Sequence, residues 1–382
     1  MPLRICHIST VHVPTDVRVF YRECQSLARD GYEVHVVIPT SSSSVVDGVH
    51  VHALSRPRSR IVRILAMPWV AMRKALSTRA DVYHYHDPEL LPAGFVLRWL
   101  FRKKVVFDVH EFISRQMLSK LWIPRPLRPV FGVLYRLIER VLTPGQALIL
   151  ANENSLGDYR GRGSVYVVRN YPLLERWTDR IVPVSERKQP PMLVYVGGIT
   201  EGRGGDVYVD LARRLRERGR EFQMMLIGPT EAAYGKAIRG RIEREGLGAC
   251  VSMSGRLNFE EAMAHVAAAT IGLCLLLPMP DHKLLLSTKL LEYMMVGTPV
   301  LASAFDAWRS YVEGEGAGLM ADPLDLSQVV VTCERMLDDP AGLDAMGRRG
   351  AEAVRSRYNW ASEFKELERC YRELLNPSGA VK

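Results

Sequence analysis

Short apolar runs alternate with longer amphipathic stretches along this chain, and the alternation predicts its fold. LRICHIST (residues 3–10) has the continuous apolar character of a strand buried on both faces. FYRECQSLARDG then shows helical spacing with a Gly31 stop, and EVHVVIPT gives a second strand. Further strand-like runs are VHVHAL (Val49–Leu54), DVYHYH (81–86), KVVFDVH (104–110), ALILAN (147–152) and VYVVRN (165–170), with helical stretches between them. Such a series predicts a parallel sheet covered by helices on both faces. The pattern breaks at WTDRIVPVSERKQPP (177–191), polar and rich in proline, which reads as a linker. It restarts with MLVYVGG, DVYVDLARRLRERG, FQMMLIGP, a helix ending near Gly246, CVSMSG, NFEEAMAHVAAA, IGLCLLL, KLLEYMMVG and TPVLAS. A charged helical stretch from about Pro340 to Leu375 closes the chain, and Ser41 to Ser44 reads as a loop.

Two α/β domains therefore follow: residues 1–176, residues 190–355, and a terminal helix, 356–382, expected to return to the first domain. The length of 382 residues agrees with two hydrophobic cores better than one. In paired doubly wound sheets a ligand is expected in a cleft at the C-terminal ends of the strands.

Composition narrows the function class. No apolar run reaches the roughly 18 residues of a membrane-spanning helix, and MPLRICHIST enters a strand without the features of a secretory signal, so a cytoplasmic protein is expected. The six cysteines form no CxxC pair, which argues against a zinc cluster or a disulfide framework. The net charge of +9 is uneven: residues 1–180 carry 26 basic against 15 acidic side chains, the remainder 25 against 27. Basic residues interleave with Trp, Phe and Leu in 56–79, 98–104 and 120–136, a pattern suited to peripheral attachment on an anionic membrane. Ordinary solvated helices in an arginine-rich chain fit it too. No recognition motif accompanies the charge, and nucleic acid is not expected as a partner.

The most informative segment is STKLLEYMMVGTPVLAS (287–303), a loop entering a helix that ends at Gly297 and feeds a buried strand. Amides near Ser287, Thr288 and Lys289 at the helix N-terminus can receive a diphosphate, with Leu290 completing the turn. Glu292, one turn in, can accept hydrogen bonds from both hydroxyls of a ribose. Taken alone, the segment is also an amphipathic helix with a C-terminal glycine, and Glu292 a carboxylate paired with a basic neighbour.

In its wider setting the segment resembles the KLxEYMAxGxPVIAS stretch of glycosyltransferase family 4. GGITEGRGG is similar to that family's GRLxxxKG, with Gly197 at the first glycine, Arg203 at the lysine and Gly204 at the last glycine. GPTEAAYG and SGRL (254–257) follow in the family's order. HVPTDVRVFYRECQSLARDGYEV, YHYHDPELLPAG and VVFDVHE resemble the N-terminal domain of a subset of members. The resemblance implies a GT-B fold and transfer of a sugar from a nucleotide diphosphate, UDP favoured over GDP, with anomeric configuration retained. It implies that Glu292 binds the ribose, that Arg203 and Lys289 neutralise the leaving diphosphate, and that His110 contacts the sugar. No cofactor and no metal are expected, because cations and a helix terminus take the metal's place and no DxD pair accompanies the motif. The acceptor would be a lipid-linked or cell-envelope glycan, or alternatively a soluble small molecule of natural-product biosynthesis.

Some positions depart from the family pattern. Leu284 stands where the first glutamate of an E-x7-E pair is common, leaving Asp281, His282 or backbone amides to meet the sugar hydroxyls. Gly198 replaces the arginine of GRL, with Arg256 or Arg18 as substitutes. HVPTD replaces a Gly-Gly loop after the first strand. A GT-B epimerase or phosphorylase, or a catalytically silent partner subunit, therefore stays open. In the first domain His12, Asp16 and Arg18 leave the first strand and are read as cleft residues, or as a helix cap with a surface arginine. His86, with His84, is either a structural or a functional histidine. Asp87 and Glu89 face the acceptor or cap a helix, and Glu111 accompanies His110. Asn170 reads as a turn or hinge residue.

Overall fold

The computed structural model describes residues 2–57, 59–109, 124–174 and 181–376. They form two compact units, Met1–Asn170 with Trp360–Lys382, and Tyr171–Asn359. The strands of the first unit are β1 (Arg4–Ile8), β2 (Glu33–Pro39), β3 (Ser44–Val46), β4 (Val49–Leu54), β5 (Val82–Tyr85), β6 (Lys104–Val109), β7 (Ala147–Leu150) and β8 (Val165–Val167). They lie in the order β3-β4-β2-β1-β5-β6-β7-β8, parallel throughout except for the pair β3–β4. The second unit holds β9 (Met192–Val196), β10 (Gln223–Ile227), β11 (Val251–Gly255), β12 (Ile271–Cys274), β13 (Val300–Ser303) and β14 (Gly318–Ala321), all parallel, in the order β11-β10-β9-β12-β13-β14.

The central strands are buried along nearly their whole length, as continuous apolar runs require in a sheet covered on both faces. Each sheet reverses its winding once, between β1 and β5 and between β9 and β12. At such switch points the loops diverge and leave a crevice at the C-terminal strand ends. The expected α/β class with two Rossmann-like sheets is thus observed. The last helix, Trp360–Leu375, packs on the sheet of the first unit: Tyr371 OH lies 2.7 Å from His84 Nδ1, and Trp360 Nε1 donates to Ser26 Oγ at 2.8 Å.

Local differences from the sequence expectations have identifiable causes. The first helix begins at Val17 rather than Phe20, as a π-helix over Val17–Cys24. Asp16 caps it, its Oδ1 accepting from the backbone N–H of Arg18 and Val19 at 2.9 Å each, and Tyr21 N–H reaches the Asp16 carbonyl five residues back. β3 is an exposed edge strand that begins at Ser44, inside the stretch read as a loop. β14 (GLMA) has no β-branched residue and follows the glycine-bearing GEGA, so its short apolar run does not stand out. Part of the expected linker falls outside the described residues, and its described part is anchored. Arg187 is buried, donating to the carbonyls of Val182, Ala269 and Gly297 and to Thr298 Oγ1.

Candidate active site

In the second unit β9 runs out into Gly197 and Gly198 at the switch point, and a cation lies over each glycine. A β-carbon on Gly197 would stand 2.4 Å from Lys289 Cε, and one on Gly198 would stand 3.2 Å from Arg203 Nη1. Gly197 has φ +145°, a conformation that side chains rarely adopt, and its carbonyl lies where a β-carbon on Gly228 would come within 1.9 Å. The ends of β9 and β10 therefore meet backbone to backbone. Arg203 closes the 3-10 turn Glu201–Arg203, just ahead of the helix Gly205–Glu217.

Lys289 sits in the first turn of the helix Thr288–Met295, which ends where Gly297 turns left-handed at φ +69°. Ser287, the N-cap residue, makes no capping hydrogen bond, and its hydroxyl lies 3.6 Å from Cys274 Sγ. The positive end of the helix dipole and two cations thus converge on the turn after β9. Burial lowers the pKa of Lys289 and the charge of Arg203 pushes the same way, while Cys274 and Glu292 oppose them. An anion brought to this turn would relieve the repulsion between the two cations. His282 is near enough to feel both: burial lowers its pKa, Arg203 and Lys289 add to the effect, and its Nδ1–H donates to the Leu277 carbonyl at 2.9 Å. It is a neutral imidazole in the position range where Leu284 left a polar partner to be found.

The remaining donor-side residues separate. Ser287, Thr288 and Glu292 are half-buried at or near the helix start. Leu290 is fully buried and its N–H donates to the Ser287 carbonyl, so its side chain belongs to the core and not to a ligand contact. Arg256 is exposed just beyond the edge strand β11, with β10 between that strand and β9.

At the switch point of the first unit, the loop after β1 is tied to the end of β5. Asp87 Oδ2 accepts from Thr10 N–H at 2.6 Å and Ser9 Oγ–H at 2.8 Å. His12 lies between Asp16, 2.9 Å from Nδ1, and Asp87, 3.5 Å from Nε2. Burial lowers its pKa, but the hydrogen bond to Asp16 and the charge of Asp87 outweigh that and raise it above 6.5. Three of the expected cleft residues are corrected by their burial. Arg18 is 5% exposed and fully engaged: Nε and Nη2 grip Asp108 at 2.8 and 2.9 Å, and Nη1 donates to Val168 O and Asn170 Oδ1. It is neither a surface arginine nor a phosphate ligand, and Asn170 serves as its partner. His86 is buried between His7 and Asp108. Asp87 is spent on the loop backbone. His110 and Glu111 lie outside the described residues.

His7, Glu23, Asp108 and Tyr371 escaped the sequence reading. Arg18 and Asp108 are 90 residues apart, His84 and Tyr371 287, and no local spacing connects them. The faint signal was alternation, which puts His84 and His86 on one face of β5 beside His7 of β1.

Two family models match the chain: "Glycosyl transferase 4-like domain" over residues 17–187 and "Glycosyl transferases group 1" over residues 190–339. Among curated relatives, the alpha-D-kanosaminyltransferase of Streptomyces kanamyceticus is 26% identical over 186 residues, 48% of this chain and 46% of the relative. The 2-deoxystreptamine glucosyltransferase of the same organism is 27% identical over 42% of this chain and 40% of its own length. The aligned stretch thus spans less than half of either relative. Among solved structures, sucrose-phosphate synthase from Thermosynechococcus elongatus superposes with a TM-score of 0.78 at 18% identity, covering 98% of this chain and 100% of that one. Anabaena HepE in complex with UDP and glucose gives 0.73 at 12% identity, covering 97% and 100%. Both similarities concern the fold.

Proposed function

This chain belongs to glycosyltransferase family 4, and from that premise we propose that it moves a sugar from a nucleotide diphosphate, UDP before GDP, to an acceptor with retention of configuration. The observation that carries the donor half is the pair Lys289 and Arg203 over Gly197 and Gly198, beside a helix N-terminus that Ser287 leaves uncapped. In departure of a nucleoside diphosphate, negative charge grows on the leaving phosphate. Cations and amides already in place stabilise that charge most in the transition state. Glu292, within electrostatic reach of Lys289, takes the ribose hydroxyls. His282, its Nδ1–H committed to the Leu277 carbonyl, offers Nε2 as a neutral acceptor to a sugar hydroxyl in place of the glutamate absent at Leu284. His110 keeps its role near the reacting carbon as part of the same proposal. The diphosphate's charge is met by side chains and a helix terminus, so the donor step needs no metal ion.

Acceptor binding is assigned to the first unit. Its helix Arg128–Leu142 turns Val130, Phe131, Val133, Leu134, Leu137 and Val141 to solvent, with Arg128, Arg136 and Arg140 along the same helix. Val133 is 66% exposed and Leu137 57%. An apolar stripe with arginines in the more basic half of the chain fits the surface of an anionic bilayer, and so a lipid-linked acceptor. The name of one Streptomyces relative, the 2-deoxystreptamine glucosyltransferase, favours the second reading, a soluble small-molecule acceptor.

Calorimetry with UDP and GDP, followed by donor-hydrolysis assays over UDP- and GDP-sugars, tests the reading. Binding of one nucleotide with slow hydrolysis of its sugar is the expected result. Absence of binding to both would overturn the donor site and leave a silent partner subunit. Product formed from nucleotide sugar alone would indicate an epimerase, and product formed with free phosphate a phosphorylase.

A further inference from the structure

The first unit holds a buried cluster that has no part in the donor site. His7 on β1, Glu23 in the π-helix, and His84 and His86 at the end of β5 each offer one ligand atom, and the four atoms lie within 4.8 Å of one another. None of the four side chains has solvent exposure. We propose that these residues bind one zinc ion as a closed structural centre.

Geometry is the first argument. His7 Nδ1 faces His86 Nε2 at 2.9 Å, and Glu23 Oε2 lies 3.6 Å from His7 Nδ1 and 3.8 Å from His86 Nε2; His84, whose Nδ1 is held by Tyr371 OH, presents Nε2. Zinc held at about 2.0–2.2 Å by nitrogen and oxygen in a tetrahedron places its ligand atoms roughly 3.3 Å apart. The cluster brackets that spacing. Three imidazoles among four ligands favour zinc over magnesium or calcium.

Polar satisfaction is the second. Both oxygens of Glu23 and Nε2 of His84 are buried without a hydrogen-bond partner. Glu23 Oε1 lies 3.1 Å from Arg18 Nε in an ion pair, and the Asp108 carboxylate is its close neighbour. Buried groups of this kind are costly to leave so placed, and a cation supplies what they lack.

The surroundings are those of ligating histidines, whose second nitrogen is usually held by a carboxylate or another polar group. His86 Nδ1 is 3.2 Å from Asp108 Oδ2, itself gripped by Arg18, and Tyr371 OH is 2.7 Å from His84 Nδ1 and 3.5 Å from His7 Nε2. Among these side chains two carboxylates face one guanidinium. With neutral imidazoles the cluster needs further positive charge, from a divalent ion or a proton. The π-helix contributes directly: its i→i+5 bonding brings Arg18 and Glu23, five apart, to one side. A zinc ion here would join β1, that helix and β5, and through Tyr371 the last helix. Four protein ligands leave no position for substrate, so the role is structural. The cluster's trace in the sequence is the spacing of His84 and His86, two apart on one strand, while His7 and Glu23 share no local spacing with them.

The test uses full-length untagged protein. Elemental analysis after exchange into metal-free buffer should find about one zinc per chain. Metal-free protein should bind cobalt(II) with the intense visible bands of a four-coordinate site, displaced by zinc, and zinc should raise its Tm by at least about 4 °C. Glu23→Gln, folded by circular dichroism, should lose the metal and the cobalt bands. Should that variant not fold, the wild-type cobalt spectrum decides alone. Folded wild-type protein that carries no metal and shows no cobalt bands and no Tm shift with zinc would overturn the proposal, leaving a proton as the occupant.

Discussion

Lys289 lies across the backbone of Gly197, so close that a β-carbon on the glycine would stand 2.4 Å from Cε of the lysine. The two residues are 92 positions apart, and the glycine is what lets the cation reach the turn after β9. Gly197→Ala should displace Lys289 and strain a backbone held at φ +145°. Nucleotide affinity by calorimetry is expected to fall about tenfold or more, together with a lower Tm. Lys289→Ala should reduce kcat by about 100-fold or more, without the backbone strain, and so with the smaller change in Tm.

Charge on Lys289 sets a pH dependence. Burial holds its pKa below the ordinary 10.5, so in the folded protein it loses its proton before an exposed lysine would. Nucleotide binding should weaken as pH rises toward 10.5. Stability moves the other way: between the folded and unfolded values the unfolded chain binds more protons, so the contribution of this group to stability rises with pH. Calorimetry across that range checks the first trend. Lys289→Arg, which keeps its charge, should flatten it.

Glu292 tests the ribose assignment. Loss of hydrogen bonds to a carboxylate is worth about 1.5–3 kcal/mol, or roughly 10- to 150-fold in affinity. Glu292→Ala should show that loss for UDP with an unchanged circular dichroism spectrum. Normal binding by the variant would place the ribose elsewhere.

Arg18 separates a structural from a functional cation. Its bidentate pair with Asp108 is buried, so Arg18→Met leaves Asp108 and Glu23 uncompensated and should cost about 3–5 kcal/mol in urea denaturation. Nucleotide affinity of the folded fraction should not change. A phosphate ligand would give the opposite result.

The exposed face of Arg128–Leu142 predicts flotation with vesicles of anionic lipid and not with zwitterionic ones. The double change Val133→Asp and Leu137→Asp should abolish it while leaving donor hydrolysis intact. Failure of the wild type to float would favour the soluble acceptor.

Sequence by itself determined the two series of buried strands and intervening helices, because apolar periodicity is a local property that each segment carries alone. It also marked Lys289, Glu292 and the Gly197–Gly198 turn, whose chemistry depends on position relative to one helix start or one strand end. Tertiary structure alone decided which polar residues are spent inside the protein. Arg18 and His86 looked like site residues because they follow strands at the sheet's switch point. They are buried because Asp108, from β6, and His7, from β1, meet them there. The same holds for His84, partnered by Tyr371 from the last helix. Burial and ion pairing are relations between distant segments, settled only when the sheet brings β1, β5 and β6 side by side.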